Sequence, residues 1–204
     1  VDHLPNNLQS LTIDSNKFNQ PINQLPKNLQ SLTLECYRFD HPICELPSNL
    51  NSLKIRLNEF RQQIFSLPSN LYSLDIMDIN CKMINDLPCS LCSLRVTNCY
   101  NIQFLDNLPN DLHSLEVQRC FFDDSSLQNL PRSLNKLIII EYKNFDIPMD
   151  NFPQSLKYLE IKSKYAKHKI VLPQLLETLI LSIKYYGDQI QNLPDTLKYI
   201  KLES

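Results

Sequence analysis

Glycine is nearly missing from these 204 residues, since Gly187 is the only one. A P-loop or a G-x-G-x-x-G dinucleotide loop needs several glycines to bring backbone close to phosphate, so both are excluded. The scarcity also shifts the tight turns onto Asn, Asp and Pro. An excess of either charge is missing too. The 20 Lys and Arg against 22 Asp and Glu leave a net charge of −2, without the basic face that nucleic-acid recognition needs. The longest aliphatic run, Leu137-Ile138-Ile139-Ile140, is far too short to span a bilayer. The chain opens without a signal-peptide pattern, and among its many asparagines no N-x-(S/T) acceptor occurs. These absences point to an intracellular, cytoplasmic protein that engages neither nucleic acid nor membrane.

Reactive constellations are also lacking. The seven cysteines, Cys36, Cys44, Cys81, Cys89, Cys92, Cys99 and Cys120, are odd in number and irregularly spaced, unlike a secreted disulfide framework. Cys89-x-x-Cys92 is half of a metal knuckle with no second pair, so reduced thiols are expected there rather than zinc. His3, His41, His113 and His168 share no common position in the repeat described next, and the carboxylates are scattered. The expectation is a non-enzymatic protein with no metal and no cofactor.

What is abundant is repetition. Leu4-Pro5-Asn6-Asn7-Leu8-Gln9-Ser10-Leu11-Thr12-Ile13 states a pattern, L-P-x-x-L-x-x-L-x-(I/L/V), that returns ten times. Its prolines are Pro5, Pro26, Pro47, Pro68, Pro88, Pro109, Pro131, Pro153, Pro173 and Pro194, at steps of 20 to 22 residues. A period of this size marks a solenoid, whose units bury their apolar faces only by stacking. Within each unit the stretch equivalent to Ser10–Asp14 alternates in the manner of a half-buried strand, with Leu11 and Ile13 inward. Stacked in parallel at ~4.8 Å per repeat, ten such strands give a sheet roughly 45 Å long. Each return holds a proline and only about a dozen residues, so it is expected to be irregular or extended rather than helical.

Two further columns complete the core. An aromatic lies seven residues before most Leu-Pro pairs (Phe18, Phe39, Phe60, Phe145, Tyr165, Tyr186, with Phe122 offset by one), and its expected role is a stacked spine under the returns. An aliphatic residue or Met lies three before: Val1, Ile22, Ile43, Ile64, Ile84, Leu105, Leu127, Met149 and Ile190. Cys99 and Cys120 fall in one column and should stack as small buried hydrophobes.

Phe18-Asn19-Gln20-Pro21-Ile22, Phe39-Asp40-His41-Pro42-Ile43 and Phe145-Asp146-Ile147-Pro148-Met149 resemble the F-N-x-P-I signature of FNIP repeats. These form a leucine-rich-repeat class found in social amoebae and giant viruses of protists. With the Leu-Pro-x-x-Leu that follows, the resemblance runs along essentially the whole chain, although Cys81 and Asn101 replace the aromatic in the middle. A bacterial effector class with L-P-x-x-L-x-x-L-x-V repeats is also similar, but lacks the phenylalanine. The resemblance implies a leucine-rich-repeat solenoid: a right-handed, curved superhelix with a parallel concave sheet of about ten strands and non-helical convex returns. It also implies a protein-interaction scaffold. FNIP-repeat proteins often carry an F-box, which would make this the substrate-recognition part of a ubiquitin-ligase adaptor, though these residues hold no F-box.

One domain spanning 1–204 is expected, opening and closing mid-repeat without polar caps. A homo-oligomer through uncapped ends, a self-associating structural module, is therefore the alternative reading. For a protein partner the concave face is the expected receptor surface. Its outward columns change along the array: serines first, a basic group of Lys54, Arg56 and Arg95 next, with Asp75 between its members. Last comes an apolar and aromatic group, Ile138, Ile140, Tyr158, Ile180 and Tyr199. Apolar residues on a face expected to be polar mark these eight as the candidate partner-binding residues.

Overall fold

The computed structural model describes residues 3–80, 84, 86–100, 102–120, 127, 129–142, 152–163, 170–183 and 190–203. Its strands are β1 (Ser10–Asp14), β2 (Ser31–Glu35), β3 (Ser52–Arg56), β4 (Ser73–Met77), β5 (Ser93–Thr97), β6 (Ser114–Gln118), β7 (Lys136–Tyr142), β8 (Tyr158–Ser163), β9 (Ile170–Val171), β10 (Thr178–Ile183), β11 (Ile190–Gln191) and β12 (Tyr199–Glu203). Ten of them, all but β9 and β11, pair in chain order as a single parallel sheet. The register follows the repeat. Ser10 faces Ser31, Leu11 faces Leu32, and each later repeat continues the same columns. The alternation Leu-x-Ile makes this register obligatory, because a slip of one residue would turn every leucine into solvent. Leu32, Leu53, Leu74, Leu94, Leu115, Leu137, Leu159 and Leu179 are buried in one column, and Leu34, Ile55, Ile76, Val96, Val117, Ile139, Ile161 and Leu181 in the next. Each such side chain contributes about 1.5–3 kcal/mol over leaving it exposed.

The Leu-Pro pair works through a turn. In all ten repeats the proline carbonyl accepts the N–H of the leucine three residues on, from Leu8 to Pro5 at 3.0 Å through Leu197 to Pro194 at 3.1 Å. Proline fixes its own φ and holds the preceding residue extended, so every return enters its strand the same way.

Two residues after the proline, in seven repeats, stands a second, polar ladder. The side-chain amides of Asn28, Asn49 and Asn70 donate to the carbonyls of Asn6, Lys27 and Ser48 in the repeat before, at 3.0, 3.0 and 3.2 Å. Farther along, the hydroxyls of Ser90, Ser133, Ser155 and Thr196 reach the carbonyls of Leu71, Leu112, Leu134 and Leu176 at 2.7–2.8 Å. These bonds satisfy carbonyls that the sheet ladder does not reach. A shorter ladder runs through the phenylalanine motif, where Asn19 and Asp40 accept the backbone N–H of Asp40 and Arg61.

Beyond each strand the inward column shifts by one residue partway along the array. Cys36 and Leu57, five residues after the first strand residue, are buried in repeats two and three. In repeats four to six the equivalent Asp78, Asn98 and Arg119 instead take left-handed backbone, with φ of 61°, 53° and 51°. That extra step places Ile79, Cys99 and Cys120 in the core. The pairing returns to the first arrangement through a bulge between Ile140 and Tyr142, so that Tyr142 faces Ser163. Glycine is the usual occupant of such backbone, and here Glu45, Leu127 and Asn192 adopt it as well. The burden of glycine scarcity thus falls beyond Asn, Asp and Pro.

Phe18, Phe39 and Phe60 form the expected spine, with ring centroids 6.0 and 6.3 Å apart and interplanar angles of 1° and 14°. Phe122, Phe145, Tyr165 and Tyr186 lie outside the described residues, as do Val1 and Met149 of the aliphatic column. The described returns are irregular or extended as expected, apart from one short segment. The return of the fifth repeat contains a 3-10 helix, Gln103–Asn107, and two later returns pair as β9 and β11. Among the described residues no helix is long and apolar enough to cross a membrane.

Candidate functional site

The outward face of the sheet is built from three columns per strand, beginning at Ser10, Thr12 and Asp14 in β1. Its charges pair across neighbouring strands. Lys54 meets Glu35 at 2.6 Å, and Arg56 meets Asp78 at 3.0 Å, where Asn98 donates to the other oxygen at 2.6 Å. Arg95 lies 2.8 Å from Glu116 and 3.8 Å from Asp75. All three cations of the basic group are therefore tied to carboxylates of this chain. Asp75 is the least comfortable of these, because its Oδ1 is buried without a hydrogen-bond partner. Burial pushes its carboxyl up against the opposing pull of Arg95 and Lys54.

The apolar group is rearranged more strongly. Ile138 is only 7% exposed, so the expectation of a solvent-facing isoleucine there is corrected. Its strand neighbours in the same column are Glu116 and Glu160, each 8% exposed. Both carboxylates are held down by the face itself. Glu116 accepts Arg95 and the Gln118 amide, and Glu160 accepts the Tyr158 hydroxyl at 2.7 Å and Lys162 at 2.8 Å. Ile138 thus lies between two buried, internally paired carboxylates. Ile140 and Ile180 are half-buried, Tyr158 is half-buried with Lys136 Nζ 5.6 Å from its ring centre, and Tyr199 is 52% exposed. Burial and the bond to Glu160 push the Tyr158 hydroxyl up to about 12.

The structure thus divides the eight candidates. Tyr158, Ile180 and Tyr199 meet on β8, β10 and β12, whereas Lys54, Arg56 and Arg95 form a separate, internally paired strip on β3 and β5. Glu116 and Glu160 are the anchors that sequence reasoning passed over. The signal was present, since each carries a cation or amide partner at a neighbouring outward position.

Reactive groups elsewhere do not converge. Among the described residues no three His, Cys, Asp or Glu side chains gather as a metal site would require. His3 and His113 are exposed, His41 lies 3.2 Å from the Asn19 carbonyl, and His168 is outside the described residues. Cys36, Cys44, Cys89, Cys92, Cys99 and Cys120 are reduced thiols. Cys99 and Cys120 are buried neighbours whose Sγ atoms donate to Thr97 and Gln118 carbonyls at 3.2 and 3.1 Å. The bond to Cys99 and burial push the Cys120 thiol well above its usual range, which makes it an inert core residue.

Known structures settle the fold. CroV588, described as a novel circular leucine-rich-repeat protein, superimposes with a TM-score of 0.67 at 26% identity, over 98% of this chain and 34% of that one. This chain is a leucine-rich-repeat solenoid. YopM from Yersinia enterocolitica WA-314 shares the solenoid with a TM-score of 0.59 at 22% identity, over 98% of this chain and 48% of its own. The chain therefore spans between about a third and a half of the length of these two proteins. Residues 1–37 match the family model of the FNIP Repeat, the region where the F-N-x-P-I signature is clearest. No curated protein matches significantly.

Proposed function

We propose that this solenoid is a non-enzymatic protein-binding scaffold whose outward sheet face is the receptor surface. The observation that carries the reading is the contrast on that face. Most of its charges are paired with one another, while Tyr199 is exposed and Ile180 and Tyr158 are half-buried on three adjacent strands. Aromatic side chains backed by a rigid sheet are what interface anchors are made of. Leucine-rich-repeat folds serve this purpose widely.

Capture from cell extract on the wild-type chain and on an Ile180→Lys, Tyr199→Ala variant tests it, once circular dichroism shows both folded. Proteins lost only from the variant support the reading, and identical capture sends the site elsewhere. A finer version, recognition of substrates for a ubiquitin ligase, rests on the FNIP resemblance of residues 1–37 alone. Ubiquitin-ligase subunits in the captured fraction are its test.

A further inference from the structure

The strands β8, β10 and β12 set out a three-by-three grid of outward residues. Tyr158, Thr178 and Tyr199 form its first row, Glu160, Ile180 and Lys201 the second, and Lys162, Ser182 and Glu203 the third. The middle column is short and the flanking columns are long. By side-chain length the face is therefore lowest along β10, a shallow slot whose flanking strands lie two strand spacings, or about 9.6 Å, apart.

Every charge in the walls is already paired. Lys162 holds Glu160 at 2.8 Å and Lys201 holds Glu203 at 2.5 Å. Glu160 also takes the Tyr158 hydroxyl, and Glu203 takes that of Ser182. What stays open is the Ile180 side chain, the exposed Tyr199 ring, and the hydroxyls of Thr178 and Tyr199, which have no hydrogen-bond partner among the described residues.

We propose that this slot takes one large, uncharged apolar side chain of a protein partner, a Leu, Met or Phe, seated over Thr178 and Ile180 with Tyr158 and Tyr199 flanking Thr178. The inference rests on the sheet-face reading above and names the partner's chemistry. A charged group entering here would have to break an existing pair or lie unpaired on Ile180, and both are costly. An apolar one covers Ile180 and disturbs no pair. The Thr178 and Tyr199 hydroxyls on the first row then supply donors for the partner's backbone carbonyls. Tyr158 is already fixed by Glu160, so little order remains to be imposed on that wall.

Two experiments on the full chain test the slot. In the first, a methyl-labelled sample is titrated with N-acetyl-leucinamide and, separately, with N-acetyl-aspartate while the Ile180 δ1 methyl signal is followed. The expected result is a saturable shift with the leucinamide only, weakened about tenfold by Tyr199→Ala, the scale of loss an interface anchor shows. A missing shift, or an equal response to the aspartate, overturns the proposal.

In the second, random displayed peptides are selected on the wild-type chain and tested on Ile180→Lys and Arg95→Ala variants. Peptides sharing a Leu, Met or Phe and lost on Ile180→Lys support the slot. Peptides indifferent to Ile180→Lys but lost on Arg95→Ala overturn the slot and leave the sheet-face reading standing. Peptides indifferent to both changes overturn both.

Discussion

The Tyr158 hydroxyl lies 2.7 Å from Glu160, two residues along the same strand, while Lys162 closes on the other carboxylate oxygen at 2.8 Å. This clamp keeps a buried carboxylate satisfied beside the buried Ile138, its partner in the strand register.

Burial by itself would raise the Glu160 carboxyl, but the bonds from Lys162 and Tyr158 outweigh it and hold the group below its usual range. A folded value below the unfolded one gives stability that is present above the unfolded pKa of about 4.3 and lost as pH falls through the folded value. Glu160→Gln is therefore expected to cost about 1–2 kcal/mol at neutral pH. Urea unfolding near neutrality and again in acid checks this. The gap to wild type should close in acid, and a gap that stays constant would assign the loss to packing.

Asp75 carries the opposite sign. Its folded value is raised by burial, so the ionised group opposes folding above the folded pKa, and stability is regained as pH falls toward the unfolded value. Asp75→Asn should stabilise the chain at neutral pH, because Arg95 keeps Glu116 at 2.8 Å as its closer partner. The gain should shrink as pH falls through the Asp75 folded value. A loss of stability at neutral pH would mean that the 3.8 Å pairing with Arg95 outweighs the unsatisfied oxygen.

Arg119 sits at φ 51° with no glycine to relieve it. Comparing Arg119→Gly with Arg119→Val removes the same side-chain interactions in both variants and isolates the backbone. The glycine variant should be the more stable by about 1–2 kcal/mol in thermal or denaturant unfolding. Equal stabilities would show that the segment relaxes out of the left-handed region.

The sheet was legible because two constraints agreed at every repeat: the apolar alternation and the Leu-Pro punctuation. Serine columns therefore paired with serine columns as read. The burial of Cys99 and Cys120 was read correctly, but the left-handed step that places them there was hidden, since nothing in the residue types of Asp78, Asn98 and Arg119 announces it. The polar ladder was visible as a column of Asn28, Asn49, Asn70, Ser90, Ser133, Ser155 and Thr196, yet a period of such residues also describes plain surface turns. On the outward face the identities were read correctly, but exposure was not. Ile138 is buried between Glu116 and Glu160 on the neighbouring strands, and alternation within one strand says nothing about what its neighbours pack beside it.

The ladder itself makes a prediction. Leu175 occupies its position between Ser155 and Thr196 and is exposed there. Leu175→Thr should let a hydroxyl donate to the preceding repeat as Thr196 does, raising stability by about 0.5–1 kcal/mol, whereas Asn49→Ala should lose about 1 kcal/mol. Chemical denaturation of the three proteins decides it. A destabilised Leu175→Thr would mean that the leucine packs usefully despite its exposure.

Site-specific photocrosslinking in cell extract tests the receptor face most directly, with the crosslinker placed at Thr178 on the sheet face in one sample and at Phe65 on the return side in another. Phe65 is exposed and lies near Leu87 and Cys89, so it serves as an accessible site away from the sheet. The expected result is discrete crosslinked proteins from Thr178 that are absent from Phe65 and disappear with Tyr199→Ala. Crosslinks from Phe65 alone, or the same set from both positions, would contradict a receptor surface on the sheet.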